Sequence, residues 1–298
     1  MAFQPEAAQV AIFTAFDQPG IIYIEQRNTT QTNVLQRIFS LFWTVCVPAG
    51  FGALGVVVFN IEAQLMHAEI RGGMCSTAAF ILANTAIQLP MMFVLSACVL
   101  TPTFALGNWE WETFGDQLLL YSANFLVWES MAQCFSIGHP LVGMLNYVQN
   151  WFTSLLFCGF VFRGTEVIWP FRLFYYIMPF QWFFNSAIYN VFSSASYDGT
   201  VACNATSCLL ADDCTTCERG FYCPGGGNAA LQCWGPDGPN ILTSGHVSYE
   251  VVTPENHFAR NLIILVAQAA VYKFGFILQM AQKSTACKVP KASSNVRV

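Results

Sequence analysis

Charge is what this 298-residue chain has least of. Asp, Glu, Lys and Arg together make up 10% of it, where a soluble domain carries about 25%. That is too little to solvate the surface of a soluble globular enzyme. Twelve basic against seventeen acidic residues, net −5, also exclude the basic face with which nucleic-acid binders neutralise phosphates, so no nucleic acid is expected as a partner. Disorder is excluded from the other direction, because a chain that is 55% hydrophobic has ample apolar surface to bury. Catalytic signatures are missing too. There is no His-Glu-x-x-His and no Gly-x-Ser-x-Gly, and His67, His139, His246 and His257 are scattered. No catalytic residue is expected. What is abundant is apolar: 27 Phe, 8 Trp and a mean hydropathy of +0.47. A bilayer-embedded chain is the class that remains.

The charge-free runs set the layout. Ile38–Ile61 has no charge, and neither has Met74–Trp109 over 36 residues. Gln117–Trp128 and Ser130–Phe162 are interrupted only by Glu129, and Leu262–Ala281 holds the single charge Lys273. A membrane helix needs about 20 apolar residues, so spans are expected over 38–60, 75–101, 117–138, 141–163 and 258–281. The stretch 7–24 is a weaker further candidate, apolar but holding Asp17 and Pro19. No basic region precedes it, so it is not a signal peptide. These runs are too long and too uniformly apolar for the alternating strands of a membrane barrel. Pro48, Pro90 and Pro102 are tolerable in helices whose neighbours re-satisfy the freed carbonyls. The expected class is an all-α membrane protein of about six transmembrane helices.

Sidedness follows from three features. Cys203, Cys208, Cys214, Cys217, Cys223 and Cys233 cluster in a stretch rich in Gly and Pro. Such a loop means disulfides outside or a metal site inside. With no His in the cluster and no second Cys-x-x-Cys, disulfides are the expected reading, zinc the alternative, and no metal is assigned. The two glycosylation sequons, at Asn28 and Asn204, are separated by an even number of expected spans and so share one exterior side. The tail carries Lys283, Lys288, Lys291 and Arg297, as a cytosolic end should, although Arg27, Arg37 and Arg163 fall outside. Residues 164–192 are loaded with aromatics around Pro170 and Pro179. Trp and Tyr favour the headgroup level, so short re-entrant or interfacial helices are expected there. A seventh span is the alternative, and it would put the Cys loop and the first sequon on opposite sides. The expected division is a transmembrane domain over 1–282, with its exterior loop region at 164–257, and a cytosolic tail over 283–298.

The order of several short sequences carries a resemblance. One span ends Asn60-Ile61-Glu62, and Leu65-Met66-His67-Ala68-Glu69-Ile70-Arg71-Gly72-Gly73-Met74 follows. The next span reads Ala83-Asn84-Thr85-Ala86-Ile87-Gln88-Leu89-Pro90; later come Phe157-Cys158-Gly159-Phe160-Val161 and Tyr175-Tyr176-Ile177-Met178-Pro179-Phe180. From about Gly20 to Gln282 this resembles the membrane domain of G-subfamily ABC transporters of the pleiotropic-drug-resistance type. The resemblance implies the C-terminal membrane half of a full transporter, or a fragment of one, in the plasma membrane. The chain departs from the complete family pattern in having no Gly-x-x-x-x-Gly-Lys-[Ser/Thr] phosphate loop and no Gly-Gly-Gln signature. By itself it is therefore expected not to be an enzyme and to bind no cofactor. ATP and Mg would be held by a partner nucleotide-binding domain.

The resemblance also implies roles. Glu62, His67, Glu69 and Arg71 would lie on a short coupling helix touching the ATPase partner, where charged side chains form contacts that move with it. An ordinary solvated loop is the plainer reading of 62–74. Trp43, Phe51, Phe152, Leu155, Phe160 and Val161 would line a substrate cavity shared with a second transmembrane half, with Phe160 and Val161 closing it outward. Substrates would be hydrophobic small molecules or lipids, and membrane lipids the surroundings. For each cavity residue, plain helix packing or lipid contact is the alternative.

Two charges inside the spans need their own account. Glu129 departs from the small residues that the family tends to have there. An acid at mid-bilayer costs about 2.5–3.5 kcal/mol, so it should face protein or water or be protonated, with Gln133 at i+4 on its face and Asn124 nearby. Lys273 is expected to anchor the last span by snorkelling its stem to the headgroups. A rival to the exporter reading is a non-transporting membrane protein whose Cys-rich loop binds an extracellular partner.

The topology can be checked directly. A membrane-impermeant thiol reagent added to intact cells should label Ala205→Cys and leave Ala68→Cys untouched; labelling at 68 contradicts it.

Overall fold

A backbone N–H in a bilayer has no water to bond, so long apolar runs must fold as helices. The computed structural model describes residues 31–71, 76–197 and 237–286, and every regular element among them is helical. In chain order they are α1 (Gln31–Arg71), α2 (Thr77–Gly107), a single 3-10 turn (Trp111–Thr113), α3 (Phe114–Ser136), α4 (Pro140–Leu156), α5 (Arg172–Ile177), α6 (Pro179–Phe192), α7 (Gly238–Ser248) and α8 (Phe258–Ala286). Three stretches are long and apolar enough to cross a membrane by length and composition: Asn33–Met66, Ile81–Gly107 and Phe258–Lys283. α3 is of spanning length too but carries more polar residues. The chain is an all-α membrane protein. The candidate span 7–24, the sequons Asn28 and Asn204, the six loop cysteines and the tail beyond Ala286 lie outside the described residues.

Local signals explain the helix ends. The Ser76 hydroxyl accepts the Ala79 N–H at 3.3 Å and starts α2. Asn108, in the left-handed region at φ 50°, stops it. Pro140 and Pro179 occupy first-turn positions, where their missing N–H costs nothing. The expected span 141–163 needs correcting, because α4 stops at Leu156. Gly159 takes φ 91°, and a Cβ there would come within 2.9 Å of the Val251 Cβ. The chain therefore turns at Gly159, and Phe160 and Val161 lie off the helix.

Residues 164–192 hold short helices, with Met178 extended between them. Their aromatics divide. Trp169, Phe171, Phe174 and Tyr176 are exposed, whereas Phe180, Phe183, Phe184 and Phe192 of α6 are fully buried. The expected short helices are present, and α6 is the one that is not interfacial: it packs inside against α3, α8, α1 and α4.

α3 is the hub. It packs against α1, α2, α4, α6 and α8, and buries Gln117, Ser122, Asn124, Ser130, Gln133 and Ser136 among its apolar residues. Polar side chains reach across the helix contacts. Gln117 donates to the Ala187 carbonyl of α6 at 2.8 Å. Asn261 of α8 donates to Asn185 Oδ1 and Ser186 Oγ of α6, each at 2.8 Å. Tyr147 and Trp151 of α4 donate to the Ala49 and Cys46 carbonyls of α1 at 2.6 and 3.0 Å. The α1–α4 approach leaves no room for a side chain at Gly52, where a Cβ would fall 2.0 Å from the Tyr147 hydroxyl.

Past α6, Ser196 bridges Asp237, and the Gly238 N–H donates to the Ala195 carbonyl at 2.9 Å. The Arg37 guanidinium of α1 sits 5.5 Å from the centre of the Tyr197 ring. The two ends of the Cys-rich stretch are thereby held side by side near the start of α1.

Candidate functional site

The last turns of α1 meet three other elements at one end of the bundle. Ala63 and Met66 pack with Ile81 of α2, Ile137 just past α3, and Phe276 and Met280 of α8. Polar contacts fasten the same end. The Asn60 amide donates to the Ser136 carbonyl and, at 2.9 Å, to that of Gly138, while Gln64 donates to Asn60 Oδ1 at 2.9 Å. Lys283 of α8 donates to the Ile137 carbonyl. This end lies opposite the one where Arg37 meets Tyr197.

The expected short coupling helix is corrected in form. Residues 62–71 continue α1 without a break. At about 1.5 Å per residue, 41 residues make a rod of roughly 60 Å, twice the ~30 Å hydrocarbon thickness. Glu62 and Glu69 stand two turns apart on one face; Glu62 is half-buried and Glu69 exposed. His67 and Arg71 belong to the same helix, and their side chains lie outside those described.

Of the residues expected at a cavity, Phe51 lines a cleft, with Trp128, Glu129 and Tyr147. Trp43, Phe51, Phe152 and Val161 are exposed, Val161 at 56%. They belong to larger apolar surfaces: Phe39, Trp43, Leu54, Val58, Ile61 and Leu65 run along α1, and Leu141, Leu145, Val148 and Phe152 along α4. Leu155 is half-buried. Phe160 turns inward, its ring 5.7 Å from Phe42, 5.5 Å from Phe184 and 5.4 Å from Tyr249. Of the pair after the Gly159 turn, only Val161 projects.

A polar centre lies deeper. Lys273 of α8 does not snorkel, which corrects its expected anchoring role. Its ammonium donates to Gln88 Oε1 of α2 and, at 2.5 Å, to Gln133 Oε1 of α3. Three helices are tied at one cation. The expected sharing of Gln133 with Glu129 does not occur: Gln133 serves Lys273, and Glu129 Oε2 is enclosed without a hydrogen-bond partner among the described residues. Glu129 instead borders a cleft lined by α1, α2, α3 and, through Tyr147, α4. Sequence reasoning missed Gln88 and Asn60 as structural donors and acceptors; the available signal was an amide side chain inside an otherwise apolar span.

In comparisons with known proteins, the family model described as "ABC-2 type transporter" matches residues 1–192. No curated protein matches the chain.

The polar centre predicts a coupled pair. Gln133→Leu leaves the buried ammonium short of an acceptor and should cost about 1.5–3 kcal/mol, the range for hydrogen bonds to charged groups. Lys273→Met should cost less in that background than in the wild type, because charge and acceptor then leave together. Unfolding of the purified protein in detergent checks the cycle; strictly additive losses contradict the contact.

Proposed function

The chain belongs to the ABC-2 type transporter family, and from that membership we propose that it is the membrane-spanning half of an ATP-driven exporter of the pleiotropic-drug-resistance type, in the plasma membrane. The partners are a nucleotide-binding domain and a second transmembrane half. With no phosphate loop in its sequence, the chain leaves ATP and Mg to the nucleotide-binding domain. The substrates are hydrophobic compounds or lipids.

One observation carries the reading: α1 is a single helix from Trp43 and Phe51 to Glu69. A push at the exposed Glu69 end therefore travels along unbroken helix as far as Phe51, with Pro48 lying between Phe51 and Trp43. Asn60 and the cluster around Met66 pass the same displacement to α3 and α8. The apolar stripes of α1 and α4 are the surface that a second half would complete into a cavity. Flat apolar and aromatic walls accept varied hydrophobic molecules with little polar selection. Val161, beyond the Gly159 turn, closes this face outward, with Phe160 fixing the turn to the core. Work is done only because the substrate binds the inward and outward arrangements differently.

The test uses the complex with the nucleotide-binding domains and second half restored. Glu69→Ala should lower substrate-stimulated ATP hydrolysis and transport severalfold while leaving surface expression intact, since exposed substitutions usually fall within about 0.5 kcal/mol. Wild-type transport in the Glu62→Ala/Glu69→Ala double variant overturns the coupling role.

A further inference from the structure

α2 and α8 both pack on α3, and a groove of about 590 Å³ lies between them. A dry cavity of roughly 150 Å³ accommodates a benzene ring, so this groove has room for a much longer apolar body. Leu82 and Leu89 of α2 form one wall, Ala270 and Phe274 of α8 the other, and Leu126 of α3 lies between them. No residue of α1 or α4 lines it. The groove is therefore separate from the face assigned to a second half.

The lining has two polar members. Thr85 donates its hydroxyl to the Ile81 carbonyl within its own helix at 2.8 Å. Lys273 is the other, and its bonding is incomplete. Of the four directions around Nζ, the stem takes one and the bonds to Gln88 Oε1 and Gln133 Oε1 take two. The fourth has no partner among the described residues. The acids within electrostatic reach, Glu129 and Glu62, form no ion pair with Lys273, and neither lines the groove. Gln133 stands one turn before the end of α3 at Ser136. The open position thus sits near the Asn60 end of the bundle, and the apolar lining continues from it along α8 to Val266. At about 1.5 Å per residue, that stretch of α8 is roughly 10 Å long.

A polar position at one end of an apolar trough selects an amphiphile with a small head and one chain. A hydrocarbon would fill the trough and leave Lys273 unmet. A hydroxyl or ester head would supply an ordinary hydrogen bond. A carboxyl supplies a charge-assisted one, roughly twice as strong. It also suits either protonation state of the lysine, since a carboxylate accepts from an ammonium and a carboxylic acid donates to a free amine.

We propose that the groove between α2 and α8 binds a long-chain fatty acid from the bilayer, its carboxyl on Lys273 and its chain lying toward Val266. The site requires neither nucleotide nor partner, so it stands or falls independently of the transport reading.

The experiment uses the purified full chain in phosphatidylcholine nanodiscs and two photoreactive probes. One is palmitic acid with a diazirine in its chain, and the other is the palmityl alcohol that matches it. The acid should label the chain saturably, with adducts in 82–89 and 266–277, the segments that line the groove. Unlabelled palmitic acid should suppress that labelling, and palmityl alcohol should do so about tenfold less effectively. Lys273→Met should weaken the acid about tenfold or more, as loss of one charge-assisted contact does, and change the alcohol less than about twofold. Ala270→Trp, which fills the groove from its exposed wall, should abolish labelling by the acid with Lys273 still in place. This variant and the preference of the wild type for the acid keep the test decisive if Lys273→Met does not fold. Equal labelling by acid and alcohol in the wild type, adducts confined to other segments, or undiminished acid labelling in Lys273→Met or Ala270→Trp overturns the proposal and leaves the groove as ordinary lipid-facing surface.

Discussion

In a bilayer the hydrophobic effect cannot tell the inside of a helix bundle from the lipid around it, because both are apolar. What gives these helices an interior is the set of polar side chains that find partners only across helix contacts. Lys273 gathers Gln88 and Gln133, Asn261 gathers Asn185 and Ser186, Gln117 reaches the Ala187 carbonyl, and Asn60 the carbonyls at and just past the end of α3. Nearly all of these contacts involve α3 or α6, the two most enclosed helices. Each is modest singly, but an amide or ammonium turned to lipid would forfeit its partners altogether, so each specifies which face of its helix turns inward.

The outer helices are then free to be apolar on their remaining faces, and α1 and α4 are. Such faces accept lipid or a second protein equally well by composition. The proposed function gives the length of α1 a use. A rod of this length, fastened to α3 through Asn60 and continuing to the exposed Glu69, is suited to carrying displacement between a soluble partner and the membrane.

Much of this fold is legible in the sequence because charge avoidance in a bilayer is severe. The runs Met74–Trp109 and Leu262–Ala281 mark α2 and α8 almost to their ends, whereas Ile38–Ile61 marks only the middle of α1, which continues to Arg71. The end of α4 is not legible in the same way, since Ser130–Phe162 stays apolar through the Gly159 turn and hydropathy carries no φ angle. Lys273 shows the sharper limit. Its stem could reach either a headgroup or the interior, and the choice rests on Gln88, 185 residues away in the chain, which spacing within one helix cannot reveal. The aromatics of 164–192 likewise read as one class, although α6 interleaves its Phe residues with Asn185, Ser186 and Asn190, partners for a buried position, while Trp169 to Tyr176 have few. The candidate coupling face was legible as Glu62 and Glu69, but its support by Asn60 and Lys283 was not.

The account's central claim is that the Glu69 end of α1 rests on an ATP-hydrolysing partner. It is tested most directly by replacing Glu69 with a photo-crosslinking phenylalanine derivative in native membranes and identifying the adduct by mass spectrometry. The account predicts an adduct with a nucleotide-binding domain, in a yield that changes when the hydrolysis cycle is trapped with vanadate. Adducts confined to lipid or to this chain, with no ATP-binding protein captured, would contradict it.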